Sequence, residues 1–221
     1  MKQYESEGTV ACVAGLGTAI MAGLKRVHDT ARSDELPRFL AFKRISLDKV
    51  RSEIRIAGDF AEFGVWKGRC ARWILEFLPE DSKLHLFDSF EGLPEHWVGH
   101  FSKGHFAVYK QRSPRFDDPR VRVVKGWFSE SLPGYFDGGK PLAFMHMDAD
   151  LYSSTMDVFR NTNDVIVPGT VILFDEYVLP NKGQTSEDEH RALMDYCAEY
   201  RRQFVYLWRT QHSQVAIRIT H

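Results

Sequence analysis

The sequence has almost no net charge: its 221 residues carry 29 Lys and Arg against 30 Asp and Glu. That balance excludes a nucleic-acid binder that relies on a basic surface. Cysteine is scarce, and Cys12, Cys70 and Cys197 are odd in number and far apart. They supply neither a disulfide framework nor a paired-cysteine zinc site, so the expectation is a reducing, cytoplasmic setting. A membrane-spanning run is missing too. Gly8 to Leu24 carries no charge, but it falls short of the roughly 20 apolar residues a span requires, and Gly, Ala and Thr dilute it. Lys2 before it is accompanied by Glu5 and Glu7, the wrong flank for a signal peptide. No membrane partner is expected. Repeats and low-complexity tracts are also absent.

What the chain does have is core-forming material. A hydrophobic fraction of 43%, with 16 Phe, 8 Tyr and 5 Trp, excludes general disorder. The length fits one domain with a modest appendage. Residues 1–55 read as a helical cap, with Leu36, Leu40, Phe42, Ile45, Leu47, Val50 and Ile54 at helical periodicity. Within it, Ala11, Gly15, Ala19 and Gly23 form a small-residue stripe suited to close helix contact, either inside the chain or across a homodimer seam. Residues 56–221 alternate strands with helices. Strands are expected at Asp59–Val65, Lys83–Asp88, Val121–Val124, Leu142–Asp148 and Thr170–Asp175, and helices at Arg69–Leu78, Ser153–Val165 and Ser186–Gln203. The alternation predicts a mostly parallel, doubly wound α/β sheet. Phe204–Trp208 and Gln214–Ile219 have no helix between them and are expected to pair antiparallel at the end of that sheet.

Ligands bind such sheets beyond the carboxyl ends of the strands, and there this chain places acid after acid. Glu62-Phe-Gly-Val-Trp-Lys-Gly68 follows the first strand and opens a helix. Gly64 and Gly68 permit a tight turn and a close ligand approach. The spacing is neither the nicotinamide fingerprint nor a Walker loop, and a simple turn is the bland reading. Asp88 ends the second strand, well placed to accept both ribose hydroxyls of a nucleoside or to serve as a cap. Asp148, and the pair Asp175 and Glu176, end two neighbouring strands. Converging carboxylates repel one another unless a cation neutralises them, and oxygen-only ligation favours Mg²⁺, Mn²⁺ or Ca²⁺. Helix capping by Asp150 or Ser153 accounts for one acid, not for acids at both strand ends.

The motifs Gly58-Asp-Phe-Ala-Glu-Phe-Gly-Val-Trp-Lys-Gly68, Phe87-Asp-Ser-Phe-Glu-Gly-Leu-Pro94, His146-Met-Asp-Ala-Asp-Leu-Tyr-Ser-Ser-Thr155 and Val167-Pro-Gly-Thr-Val-Ile-Leu-Phe-Asp-Glu-Tyr177 together resemble the macrocin O-methyltransferase family. These are class I, Rossmann-like enzymes that use S-adenosylmethionine (SAM) to methylate sugar hydroxyls of natural products and glycans. The resemblance spans roughly residues 55–200. It implies that Glu62 and Gly64 serve the methionine part of SAM, with Gly68 also among the cofactor-binding residues. Asp88 would bind its ribose beside Ser89 and Phe90, with Gly126, Trp127 and Phe128 near the adenine. It implies a divalent cation, Mg²⁺ or similar, on Asp148, Asp175 and Glu176. Asp150 becomes the candidate general base, and Asp148 counts in the cofactor, metal and catalytic sets. The chain departs from the family at Glu176, where Asp is usual, and at Val178, where some members place a His.

The implied chemistry is positioning of an acceptor oxygen in line with an activated methyl group, a metal that lowers the hydroxyl's pKa and a carboxylate that takes its proton. The expected acceptor is a sugar hydroxyl or glycosylated small molecule. The alternatives are a non-sugar vicinal diol such as a catechol, or a non-catalytic SAM-binding protein.

Several residues carry blander expectations. His96, His100 and His105, interleaved with Trp97, Phe101, Phe106 and Tyr109, read as a lid or acceptor loop rather than a zinc site. His146 reads as a satisfied core histidine, Glu187 to Arg191 as a solvated helix face, and Cys70 as packing.

Overall fold

The computed structural model describes residues 36–181, 184–210 and 213–221. The stripe from Ala11 to Gly23, Cys12 and the uncharged run from Gly8 to Leu24 lie outside the described residues. In chain order the elements are α1 (Leu36–Arg51), β1 (Asp59–Phe63), α2 (Arg69–Leu75), β2 (Leu84–Asp88), β3 (Val121–Lys125), α3 (Phe128–Ser131), β4 (Leu142–Met147), α4 (Tyr152–Thr162), β5 (Val171–Phe174), β6 (Leu179–Asn181), β7 (Gln184–Ser186), α5 (Asp188–Tyr200), β8 (Phe204–Arg209) and β9 (Val215–Ile219).

Seven strands form one sheet in the order β3-β2-β1-β4-β5-β9-β8, and β6 and β7 form a separate hairpin. Strands β1 to β5 pair in parallel. The late strands pair antiparallel, as their missing crossover helix requires, with β9 against β5 and β8 at the edge. Among the described residues no helix is long and apolar enough to cross a membrane, and Cys70 and Cys197 are buried outside any disulfide.

Three helices end earlier than expected, for local reasons. Helix α2 stops at Leu75 because the N–H groups of Glu76, Phe77 and Leu78 turn to carbonyls three residues back, a tightening that precedes Pro79. Helix α4 ends at Thr162 and passes into a 3₁₀ turn, Asn163–Val165. Helix α5 ends at Tyr200, because Arg201 adopts a left-handed conformation. The hairpin β6–β7 was not foreseen; its strands are only three residues long.

Strand alternation decides which side chains meet. On β1, Ala61 and Phe63 join a core with Phe159 of α4 and Leu193 of α5. Phe60 faces the other way, into a core with Leu47 and Val50 of α1 and Ile74 of α2. Glu62 therefore shares the α1 face. So does His146, which alternates with Met145 and Met147 on β4, and so does Leu173 on β5. Asp148 and Asp175 lie one residue past β4 and β5, and their N–H groups continue the ladder to Phe63 and Met147. The alternation thus carries both carboxylates to the α1 face. Helix α1 is seated by Leu47 and Val50, each at most 1% exposed. Burying a side chain of that size contributes about 1.5–3 kcal/mol.

Candidate active site

The chain runs β1, β2, β3 toward one edge and then returns to place β4 on the other side of β1. Such a reversal leaves a crevice beyond the strand ends, and a cavity of about 700 Å³ opens there. Of the residues the sequence singles out, Glu62, Gly64, Asp88, Ser89 and Gly126 line it, together with Trp127, Phe128, Asp148, Asp150 and Glu176. Gly68, Phe90 and Asp175 do not. Gly68 sits at the N-cap of α2, Phe90 is 1% exposed within the α1-side core, and Asp175 is buried against Lys43.

The glycine loop holds the crevice open. Gly64 has φ +93°, and a Cβ there would stand 1.8 Å from the Asp148 carbonyl oxygen. The backbones of the β1 and β4 ends therefore pass in direct contact. Asp88 ties this loop down: its Oδ2 accepts from the N–H groups of Val65 at 2.8 Å and Trp66 at 2.7 Å, and its Oδ1 accepts from Phe90 at 2.6 Å. A carboxylate has about four acceptor positions, so Asp88 shapes the loop and retains a position toward the cavity.

The segment between β2 and β3 covers one side, as a lid. Its Trp97, Phe101 and Phe106 face the cavity. Gly92 (φ +83°) lets it fold tightly, with a Cβ there 2.2 Å from the His105 oxygen. The Trp97 indole N–H reaches Ser186 Oγ at 3.0 Å and Asp188 Oδ2 at 3.1 Å, fastening the lid to β7 and α5. Among the described residues, His96, His100 and His105 form no three-ligand group suited to a metal.

Beneath the cavity lies a row of buried charges. His146 is 1% exposed, with Nδ1 3.1 Å from Glu62 Oε1 and Nε2 3.9 Å from Asp175 Oδ1. Burial opposes its charge, but Asp175 and Glu62 outweigh that and raise its pKa to about 10. The imidazolium is thus a satisfied core group and also the counter-charge of two site carboxylates.

The second cation is Lys43 of α1, which sequence reasoning missed. Its ammonium lies 3.2 Å from Asp148 Oδ2 and in direct contact with Asp175 Oδ2, and the residue lines the cavity. Burial works against the charge, yet Asp148, Asp175 and Glu176 together hold the Lys43 pKa well above its ordinary value. Asp175 is held low against the effect of burial, by Lys43 and His146. Burial first, and then the Asp148 charge, push Asp150 well up. Burial and Asp175 do the same to Glu176. Asp150 also adopts φ +63°, the left-handed region that Asp tolerates better than most residues.

Asp148, Asp175 and Glu176 do not form one converging oxygen set. Among the described residues, the groups that bring Asp148 together with other ligand atoms, all within 4.8 Å of one another, are Asp148, Asp150 and Glu176, and His146, Asp148 and Asp175. Lys43 already bridges Asp148 and Asp175, so with the ammonium in place that pair does not fit a divalent ion.

Glu189 corrects the reading of α5 as solvated along residues 187–191. It is 0% exposed. Its Oε1 accepts from the Ala149 N–H at 3.3 Å and its Oε2 from the Glu176 N–H at 3.2 Å, so one carboxyl pins the loops after β4 and β5. Its signal was present in the sequence: Glu189 heads the stripe Ala192, Leu193, Tyr196 and Cys197, all buried, at i+3, i+4, i+7 and i+8. Glu189→Ala is expected to lower stability by about 2 kcal/mol, because two buried N–H groups lose their acceptor. An unchanged midpoint in chemical denaturation would show that the loops are held by other contacts.

A family profile described as Macrocin-O-methyltransferase (TylF) matches residues 38–199. The chain is 33% identical to the 8-demethyl-8-(2,3-dimethoxy-alpha-L-rhamnosyl)-tetracenomycin-C 4'-O-methyltransferase of Streptomyces olivaceus, over 56% of this chain and 54% of that protein. It is 29% identical to the mycinamicin III 3''-O-methyltransferase of Micromonospora griseorubida, over 72% of each. The chain thus spans about half the length of the first of these relatives. Among solved structures, the O-methyltransferase NovP superposes with a TM-score of 0.60 at 25% identity, covering 82% of this chain and 79% of that one.

Proposed function

The chain belongs to the macrocin-O-methyltransferase family, and on that premise we propose that it transfers the methyl group of SAM to a hydroxyl of a sugar or glycosylated small molecule. One observation carries this reading. A single cavity of about 700 Å³ joins a glycine loop and strand-end Asp88 to a cluster of buried carboxylates under an aromatic lid. That volume lies within the range of small-molecule sites. The tetracenomycin relative is named for methylation on a rhamnosyl derivative, which supports a sugar acceptor.

In the proposed arrangement the methionine part of SAM lies over Glu62 and Gly64, its ribose at Asp88 and Ser89, and its adenine beside Gly126, Trp127 and Phe128. The acidic cluster favours the sulfonium and amino charges of the donor. The acceptor oxygen attacks the methyl carbon, the carbon–sulfur bond breaks, and its electron pair returns to sulfur to give S-adenosylhomocysteine. The acceptor's proton passes to Asp150. A carboxyl whose pKa is pushed up by burial and a neighbouring carboxylate holds that proton more readily at neutral pH. A divalent ion, where bound, would lower the hydroxyl's pKa and fix its orientation. Lys43 holds two of the carboxylates expected to ligate such an ion.

The test begins with radiolabelled SAM and a panel of glycosides and catechols. Transfer to a glycoside hydroxyl is the expected result. Transfer to catechols alone, or SAM binding with no transfer, would replace the reading. Asp88→Ala should weaken SAM binding by roughly 1.5–3 kcal/mol through lost charge-assisted hydrogen bonds. Calorimetry reads this directly, and unchanged affinity in a folded variant would remove Asp88 from the donor site.

A further inference from the structure

Helix α1 presents Lys43, Ser46, Leu47 and Val50 at i, i+3, i+4 and i+7, the spacing of one helix face. Ser46, Leu47 and Val50 are each at most 1% exposed, so Lys43 continues a buried stripe rather than a solvated one. The stripe packs on the sheet face to which strand alternation sends Asp148 and Asp175. Arg44 adds a two-pronged contact to Glu76, at 2.8 Å to each carboxylate oxygen. At the far end Arg218 reaches Glu53 at 2.7 Å. The ammonium is therefore delivered by a seated element, and its side chain is 14% exposed.

A magnesium-sized ion needs oxygens at about 2.0–2.1 Å in near-octahedral geometry. An ion bridging Asp148 and Asp175 would require the space between them that the Lys43 ammonium fills, and the ammonium would repel it. We propose that Lys43 is the resident cation of this centre, and that Asp148 and Asp175 bind no divalent ion while Lys43 is in place. Lys43 acts as a positioning residue. It neutralises the two strand-end carboxylates and supplies fixed positive charge to the cavity wall that Asp150 and Glu176 share. Only this catalytic consequence rests on the methyl-transfer reading.

Manganese binding to the full chain, followed by electron paramagnetic resonance, tests the proposal without an acceptor. Removing a unit charge a few ångströms from the ion should matter even at an effective dielectric constant of about 20, so K43M is expected to bind Mn²⁺ roughly tenfold or more tighter than the wild type. The gain should vanish in the double variant K43M/D175N. The proposal is overturned if K43M leaves manganese affinity unchanged. It is equally overturned if the wild type binds one Mn²⁺ and D175N abolishes it, a measurement that needs no Lys43 variant to fold. SAM calorimetry on the same samples separates the two readings. Absence of SAM binding would end the methyl-transfer reading, while the manganese result would still decide the role of Lys43.

Discussion

Asp150→Asn is expected to lower turnover by about 100- to 10,000-fold, the usual contribution of a positioned general base, while leaving SAM affinity unchanged. Asp150 lines the cavity, and its shape is nearly kept by the amide, so the loss would report proton transfer rather than packing. Its left-handed backbone, φ +63°, is one that Asn also adopts readily, which protects the loop in the variant. The donor contacts are assigned to other residues, Asp88 and the glycine loop. A single-turnover assay with labelled SAM, paired with calorimetry, separates the two quantities. Full turnover in Asp150→Asn would transfer the base to another group. A parallel loss of SAM binding would instead place Asp150 in the donor pocket.

Gly64→Val should be the most damaging substitution on the structural side. A Cβ at this position meets the Asp148 carbonyl oxygen at 1.8 Å, and that oxygen belongs to the backbone leaving β4. The main chain cannot rotate away as a flexible side chain does. The residue also holds φ +93°, where a β-branched side chain is strained. Overpacking and left-handed strain together suggest a loss of about 3–5 kcal/mol, a large part of the roughly 5–15 kcal/mol that holds an ordinary domain folded. Surviving protein should lack SAM affinity, since the β1 and β4 ends would be forced apart. Denaturant titration and calorimetry check both outcomes. A variant with wild-type midpoint and affinity would mean that the two backbones are not in contact in solution.

Some of the site was legible because it depends on the order of short segments. An apolar run ending in Glu62, Asp88, Asp148 or Asp175 marks a strand and its carboxyl end. Parallel pairing then brings those ends to one edge of the sheet, which is why most of the residues singled out line one cavity. Phe90 enters the site only through the family resemblance, beside Asp88 and Ser89. Its φ of +60° accompanies a side chain buried in the core, a turn that no spacing rule reports. The reading of α5 failed differently. From Glu187 to Arg191 the charges form a run, but helical periodicity assigns each to its own face, and Glu189 falls on the buried one.

The alternation of strands and helices, and the two late strands with no helix between them, determined the sheet, its parallel centre and its antiparallel edge by themselves. Local periodicity and chain connectivity leave few other ways to bury those apolar faces. Which charges meet was decided only in three dimensions. Lys43 and Glu189 are more than 100 positions apart in the chain. Helices on opposite faces of the sheet bring a cation and an acid to the same strand ends, and neither helix's own pattern names its partner. Long-range ion pairing depends on distances of a few ångströms. Helix docking fixes such distances, whereas linear spacing does not. The carboxylates were therefore visible as a cluster, but the cation that bridges two of them came to light only with the tertiary structure.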